Sequence, residues 1–213
     1  MSHCSEDFFP FEIVPTRLSP DLLEGSWRQA SEEPTSSPRP SAIVTPGSSF
    51  ELREAVERTA WFFQREFAQT AQFSATETPD DIDYIEYKAF LWAGNDLNGG
   101  AVSIVGACCF RRQDRYERIG PFWDLQWAWF HPYCRRQGFL RSSWGYFESR
   151  FGQFRCQPPL SLEMQSFLKK HNGGLRRAFP PGFQIDDEYL TAWEQDSSNK
   201  LKRPGIRSIT ASL

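Results

Sequence analysis

The run WDLQWAWFHPYCRRQGFLRSSWGYFESRFGQF, residues 123–154, decides how this chain folds. It opens as an aromatic-rich strand that stops at His131-Pro132, because proline cannot donate to a strand ladder. A short basic turn, YCRRQGFL (133–140), comes next. From Gly138 to Phe151 the period becomes helical, with Leu140, Trp144 and Phe147 or Phe151 on one side. A helix that starts just after such a turn presents unpaired N–H groups and a partial positive charge, which suit a diphosphate. Gly138 permits close approach of a ligand or an unusual backbone angle. Arg135 and Arg136 offer charge-assisted contacts, each worth about 1.5–3 kcal/mol when desolvated. The plainer alternative is a basic strand–helix connection with no ligand.

Working outward, Ser48 or Ser49 caps a helix in SSFELREAVERTAWFFQREFAQTAQF (48–73), where Leu52, Val56, Ala60, Phe63 and Phe67 recur at three- and four-residue spacing. TPDD (78–81) breaks the chain. IDYIEYKAFLWAG (82–94) and AVSIVGACCFRRQ (101–113) read as a hairpin around the turn NDLNGG (95–100). The charged bend RQDRYERIG (112–120) leads into the strand 122–132. Downstream, FGQFRC (151–156) is a short strand ending at Pro158-Pro159. SLEMQSFLKKH (161–171) is a helix with Leu162, Met164 or Gln165, and Leu168 inward, closed by Asn172-Gly173-Gly174. FQIDDEYLTAW (183–193) supplies one more strand or hairpin. This order predicts an α/β (α+β) fold with a mixed, mainly antiparallel central sheet flanked by helices.

At about 150 residues per domain, 213 residues give one domain with appendages. SEEPTSSPRPS (31–41) cannot bury enough apolar surface to offset chain entropy. The expected division is therefore an N-terminal extension over 1–47, partly flexible but with the more apolar FFPFEIVP (8–15) and DLLEGSW (21–27) as pieces that can dock onto the domain, a domain over 48–195 and a polar tail over 196–213. Aromatics reach 15%, enough for a substantial core even though mean hydropathy is −0.55. A net charge of −3 argues against a broad nucleic-acid coat, which needs a cationic surplus. No apolar run is long enough to span a bilayer, and the N-terminus lacks a basic region followed by an apolar one, so the expected location is the cytoplasm. The five cysteines are odd in number and contain no C-x-x-C pair, which excludes a complete intrachain disulfide framework and a spacing-based zinc site. No metal is expected.

Arg135-Arg136-Gln137-Gly138-Phe139-Leu140, with the preceding His131-Pro132-x-x-Arg135, resembles the acetyl-CoA motif Arg/Gln-x-x-Gly-x-Gly/Ala of the GNAT superfamily of N-acetyltransferases. The first and fourth positions match; the sixth departs, with Leu140 where Gly or Ala is usual. PLSLEMQSFLKKHNG (159–173) resembles the helix after that family's fifth strand, and the element order fits over roughly residues 50–195. The resemblance implies a sheet whose fourth and fifth strands splay apart to admit acetyl-CoA as co-substrate. Backbone groups of Gln126, Trp127, Ala128, Trp129 and Phe130 would hold the pantetheine arm, and amides of Arg135, Arg136, Gln137, Gly138, Phe139 and Leu140 the pyrophosphate. Ser161 stands where the family often has an Asn touching CoA. The implied reaction is direct attack of a primary amine, on a small molecule or a protein, upon the thioester. That needs a base and a stabilised oxyanion.

The family's usual tyrosine acid is missing: Leu168 stands at its position, beside Phe167. Candidate bases are Asp124 on the fourth strand and Glu86 on the second. Strict alternation puts Asp124, Gln126 and Ala128 on one face, opposite Leu125, Trp127 and Trp129. A carboxylate beside several aromatics is a candidate for a raised pKa, and a hydrogen-bonded strand carboxylate is the plainer reading. Cys134, beside two arginines, is either a reactive or an inert thiol. His131 reads as a turn residue and His171 as a helix C-terminal residue. Two other functions stay open: a catalytically inactive CoA-binding or regulatory module on the same fold, and a single-strand nucleic-acid binder stacking bases on Trp123, Trp127 and Trp129. A homodimer is compatible with each.

Overall fold

The computed structural model describes residues 15–27, 40–69, 73–76, 86–95, 102–114, 120–171, 174–181, 190–192 and 195. Among these, one mixed sheet contains β1 (Arg17–Leu18), β2 (Ala42–Val44), β3 (Tyr87–Asn95), β4 (Val102–Gln113), β5 (Phe122–Phe130) and β6 (Arg155–Cys156). Helices α1 (Pro20–Trp27), α2 (Phe50–Phe67), α3 (Phe139–Phe151) and α4 (Leu162–Lys169) accompany it. The strand order is β2-β3-β4-β5-β6, with β1 added beside β4. All pairs are antiparallel except β5 with β6. The α/β class and the mixed, mainly antiparallel sheet are thus those the sequence predicts. No helix among the described residues is long and apolar enough to cross a membrane.

The sheet separates two cores. On one face α2 buries Leu52, Val56, Ala60 and Phe63 against Trp127 and Trp129. On the other, Trp144, Phe147 and Phe151 of α3 cover Phe90, Phe110 and Leu125. Phe110 and Phe151 stack at 4.3 Å, and such ring pairs add about 0.5–1.5 kcal/mol beyond their area. Helix α2 starts where the Ser49 hydroxyl accepts from the Leu52 N–H, a cap worth about 1 kcal/mol. It ends at Phe67 rather than Phe73, because Ala68 turns left-handed at φ 50°.

Within the N-terminal extension, β1, α1 and β2 join the fold, with Ala42 and Val44 fully buried against β3. Leu18, Leu22 and Leu23 add to the α2-side core, so the DLLEGSW piece docks as its apolar character suggests. One expectation needs correction: the alternation along β5 fails. Cys109 pairs with Trp127 and Phe110 with Leu125, so Gln126 has no partner on β4 and forms a β-bulge. Leu125 accordingly faces α3, whereas Trp127 and Trp129 face α2, and Ala128 and Phe130 return to the α3 side. The segments 78–81, 96–100, 183–189 and 196–213 lie outside the described residues.

Gly106 is required by close approach. Its partner Phe130 leans across β4 to meet Trp92 with ring centroids 4.9 Å apart. A Cβ on Gly106 would sit 2.3 Å from the Phe130 ring and 2.9 Å from the Trp129 carbonyl oxygen.

Candidate functional site

Strands β5 and β6 pair only at Asp124↔Arg155 and Leu125↔Cys156. The Gln157 N–H donates to the Leu125 carbonyl at 2.9 Å, and the Gln126 side chain donates to that of Gln157 at the same point. The bulge follows at once. Past it the Phe130 carbonyl faces away from β4, since it accepts from Arg135 Nε at 2.9 Å. Period-two alternation turns the Ala128 backbone to the same edge, while Trp127 and Trp129 face β4. Of the five backbone positions expected to hold a pantetheine arm, Gln126, Ala128 and Phe130 therefore line the edge, and the Phe130 carbonyl is already engaged.

The chain then enters the basic turn. The His131 N–H donates to the Val105 carbonyl at 2.8 Å, and a 3-10 turn spans Pro132–Cys134. Arg136 at φ 62° and Gly138 at φ 86° are both left-handed, and the Gln137 side chain donates to the Tyr133 carbonyl at 2.8 Å. The first helical bond of α3 runs from the Ser142 N–H to the Gly138 carbonyl, so the N–H groups of Phe139, Leu140 and Arg141 have no acceptor within the helix. A Cβ on Gly138 would meet nothing within 4 Å. Leu140 packs against the α3-side core, and Phe139 stacks on Phe130 at 5.8 Å. The bulky side chain at the motif's sixth position is thus directed into the protein. Arg136 is exposed.

Arg135 does not offer its guanidinium to the turn. Its Nη1 donates to Glu66 Oε1 at 2.6 Å, and Nη2 reaches the other oxygen. Its own N–H is directed to the Pro132 carbonyl. Ser161 is the N-cap of α4, accepting from the Met164 N–H at 3.1 Å, which is the role its position at a helix start favours. Trp127 and Trp129 are core residues, 2% and 3% exposed, so they present no stacking platform.

The two candidate bases lie at the opposite end of the strands, where Asp124 pairs with Arg111 beside the start of β3. Asp124 is fully buried, and Arg155 Nε donates to its Oδ1 at 2.9 Å while Nη2 binds Oδ2. Burial pushes its carboxyl above the usual range, against the downward pull of Arg155. Both oxygens are occupied by one fork, an arrangement that holds strands together. Glu86 is 41% exposed, within 3.5 Å of Arg112 and 3.7 Å of Lys88. The structure thus keeps both carboxylates apart from the basic turn. Burial also pushes the Cys134 thiol up, contrary to what a poised thiolate needs.

Glu66, Arg155 and Gly106 were not singled out by sequence reasoning. Glu66 follows Phe62 and Phe63 by one helical turn, a carboxylate at the margin of an apolar stripe, and that was the one available signal. The pairing of Asp124 with Arg155 depends on parallel register, which local pattern does not encode.

His171 sits 4.1 Å from the Phe167 ring and 5.7 Å from Trp144, between centroids. Burial, reinforced by Arg141, lowers its pKa. Below about pH 6.5 the unfolded chain takes up a proton that the fold resists. Stability therefore falls as pH drops through that value toward the lower folded one. Urea melts from pH 7.5 to 5.5 should show this slope, and His171→Phe should flatten it; an unchanged slope would assign the effect elsewhere.

No protein-family model matches the chain, and no curated protein matches it significantly.

Proposed function

We propose that this chain is an acetyl-CoA-dependent N-acetyltransferase of the GNAT type, with a primary amine as acceptor. The observation that carries the proposal is the sequence of events along β5. A two-residue parallel ladder with β6 ends at a bulge, a backbone edge that no described strand pairs follows, and a basic turn then feeds a helix N-terminus. The family's splayed strands would need the sheet to part at this point, and the shortness of the β5–β6 ladder supports that reading. The order β2-β3-β4-β5-β6, with its single parallel pair, supports the same view.

The residues present fit the ligand. The turn offers the amides that open α3, the exposed Arg136 and the open space over Gly138. Acyl-CoA, when bound, supplies an activated thioester that an amine attacks directly, with CoA leaving as the thiol. Among the described residues no strand pairs the edge at Ala128, whose N–H and C=O lie next to the bulge, and an N–H fixed there suits an oxyanion. Asp124 takes no part in proton transfer on this view, because Arg155 occupies both its oxygens. The same ion pairing favours, as second reading, a CoA-binding module without turnover.

Isothermal titration with acetyl-CoA, and with CoA as control, tests the proposal. Micromolar binding followed by acetylation of an amine panel is the expected result. Binding without turnover selects the module, and absence of binding to folded protein removes both.

A further inference from the structure

Glu66 lies on the last turn of α2, and its side chain is only 5% exposed. Its carboxylate gathers three donors: Trp129 Nε1 at 2.7 Å, and both terminal nitrogens of Arg135. The third nitrogen of that fork, Nε, donates to the Phe130 carbonyl at 2.9 Å. The Arg135 guanidinium also lies 5.8 Å from the Trp129 ring centroid. One buried carboxylate therefore ties together α2, the end of β5 and Arg135 of the turn, which runs on through left-handed Arg136 and Gly138 into α3.

A solvent-exposed ion pair would contribute little, but this one is largely buried, forked and supported by an indole N–H. Arginine is needed because its three nitrogens reach three directions in one plane, and lysine has no such fork. Phe62 stacks on Trp129 at 5.1 Å, which fixes the indole that orients Glu66. The whole set holds the turn in one conformation before any ligand arrives, and a preformed site avoids the entropy of ordering it on binding.

We propose that Glu66 is a positioning residue for anion binding: through Arg135 it sets the backbone of residues 136–140 in the conformation that receives a diphosphate. This rests on the CoA reading given above. Glu66→Gln keeps the size and one acceptor but loses the charge; Arg135→Lys keeps the charge but loses the fork.

The experiment uses the full chain, with two measurements on each variant. Hydrogen exchange should become faster in a peptide covering 131–141 and stay unchanged across β3 and β4. Affinity for CoA should fall at least about tenfold, while affinity for pantetheine, which lacks the diphosphate, should not change. Wild-type protein that fails to bind CoA would overturn the CoA reading and this proposal with it. Wild-type binding with CoA affinity unchanged in both variants would overturn this proposal alone. So would equal weakening of CoA and pantetheine, or faster exchange throughout the sheet, since either marks a general loss of structure.

Discussion

Gly138→Val is expected to weaken acetyl-CoA binding at least about a hundredfold, the equivalent of about 2.8 kcal/mol, with the fold intact. Gly138 holds φ 86°, a region that costs a β-branched residue about 1–3 kcal/mol. The chain relieves that strain by rotating the peptide planes on either side, which carry the amides that open α3. A Cβ there has nothing within 4 Å, so a clash at Cβ is not what fails. The valine side chain enters instead the space through which a diphosphate would approach. Gly138→Asn separates the two causes, since asparagine tolerates left-handed geometry and still adds a Cβ. An intermediate loss, about tenfold, is expected for it. Titration calorimetry beside circular dichroism reads both, and unchanged affinity in the valine variant would show that the turn only connects a strand to a helix.

The outline of the fold was legible because it depends on local periodicity. Leu52, Val56, Ala60 and Phe63 announce α2, and Trp144, Phe147 and Phe151 announce α3, at spacings that bury one face. Ser49 and Ser161 announce helix starts through the cap each one makes. The candidate site was legible only where it too is local, in the basic turn and its glycine. What escaped depends on register. The bulge at Gln126 reverses the faces of β5 downstream of it, and no residue type at 126 signals that. The same reversal sends Trp127 and Trp129 under α2, where Trp129 helps define the Glu66 site. Arg135 looked like an anion ligand because its partner lies on a helix far away in sequence. Asp124 looked available for the same reason, with Arg155 brought to it by a parallel pair on a different strand.

Arg155→Met is expected to destabilise the protein by about 3–5 kcal/mol, among the largest effects of any single substitution. It removes the fork that binds both oxygens of the fully buried Asp124, taking from an interior carboxylate the guanidinium that faces it. Asp124→Asn should cost less, because a neutral amide is easier to bury than an unpaired charge. Asp124→Leu combined with Arg155→Met should recover much of the loss, as replacement of a buried pair by apolar groups is often near neutral. The pH dependence of the single Arg155 variant follows from the direction of the Asp124 shift. Burial already raises that carboxyl, and without Arg155 the upward push is unopposed. The folded state then binds a proton more readily than the unfolded chain. The deficit relative to wild type is therefore greatest at neutral pH, above the folded pKa, and shrinks as pH falls through it and the acid becomes neutral. Urea unfolding at pH 7 and pH 5 measures this, and a deficit that grows on acidification would refute the assignment. On the acetyltransferase proposal, the same variants test whether Asp124 has a place in the chemistry. A strand-holding carboxylate predicts that Asp124→Asn lowers the melting temperature while turnover per folded molecule and its pH profile stay as in wild type. Loss of turnover in fully folded Asp124→Asn protein would return Asp124 to the role of base.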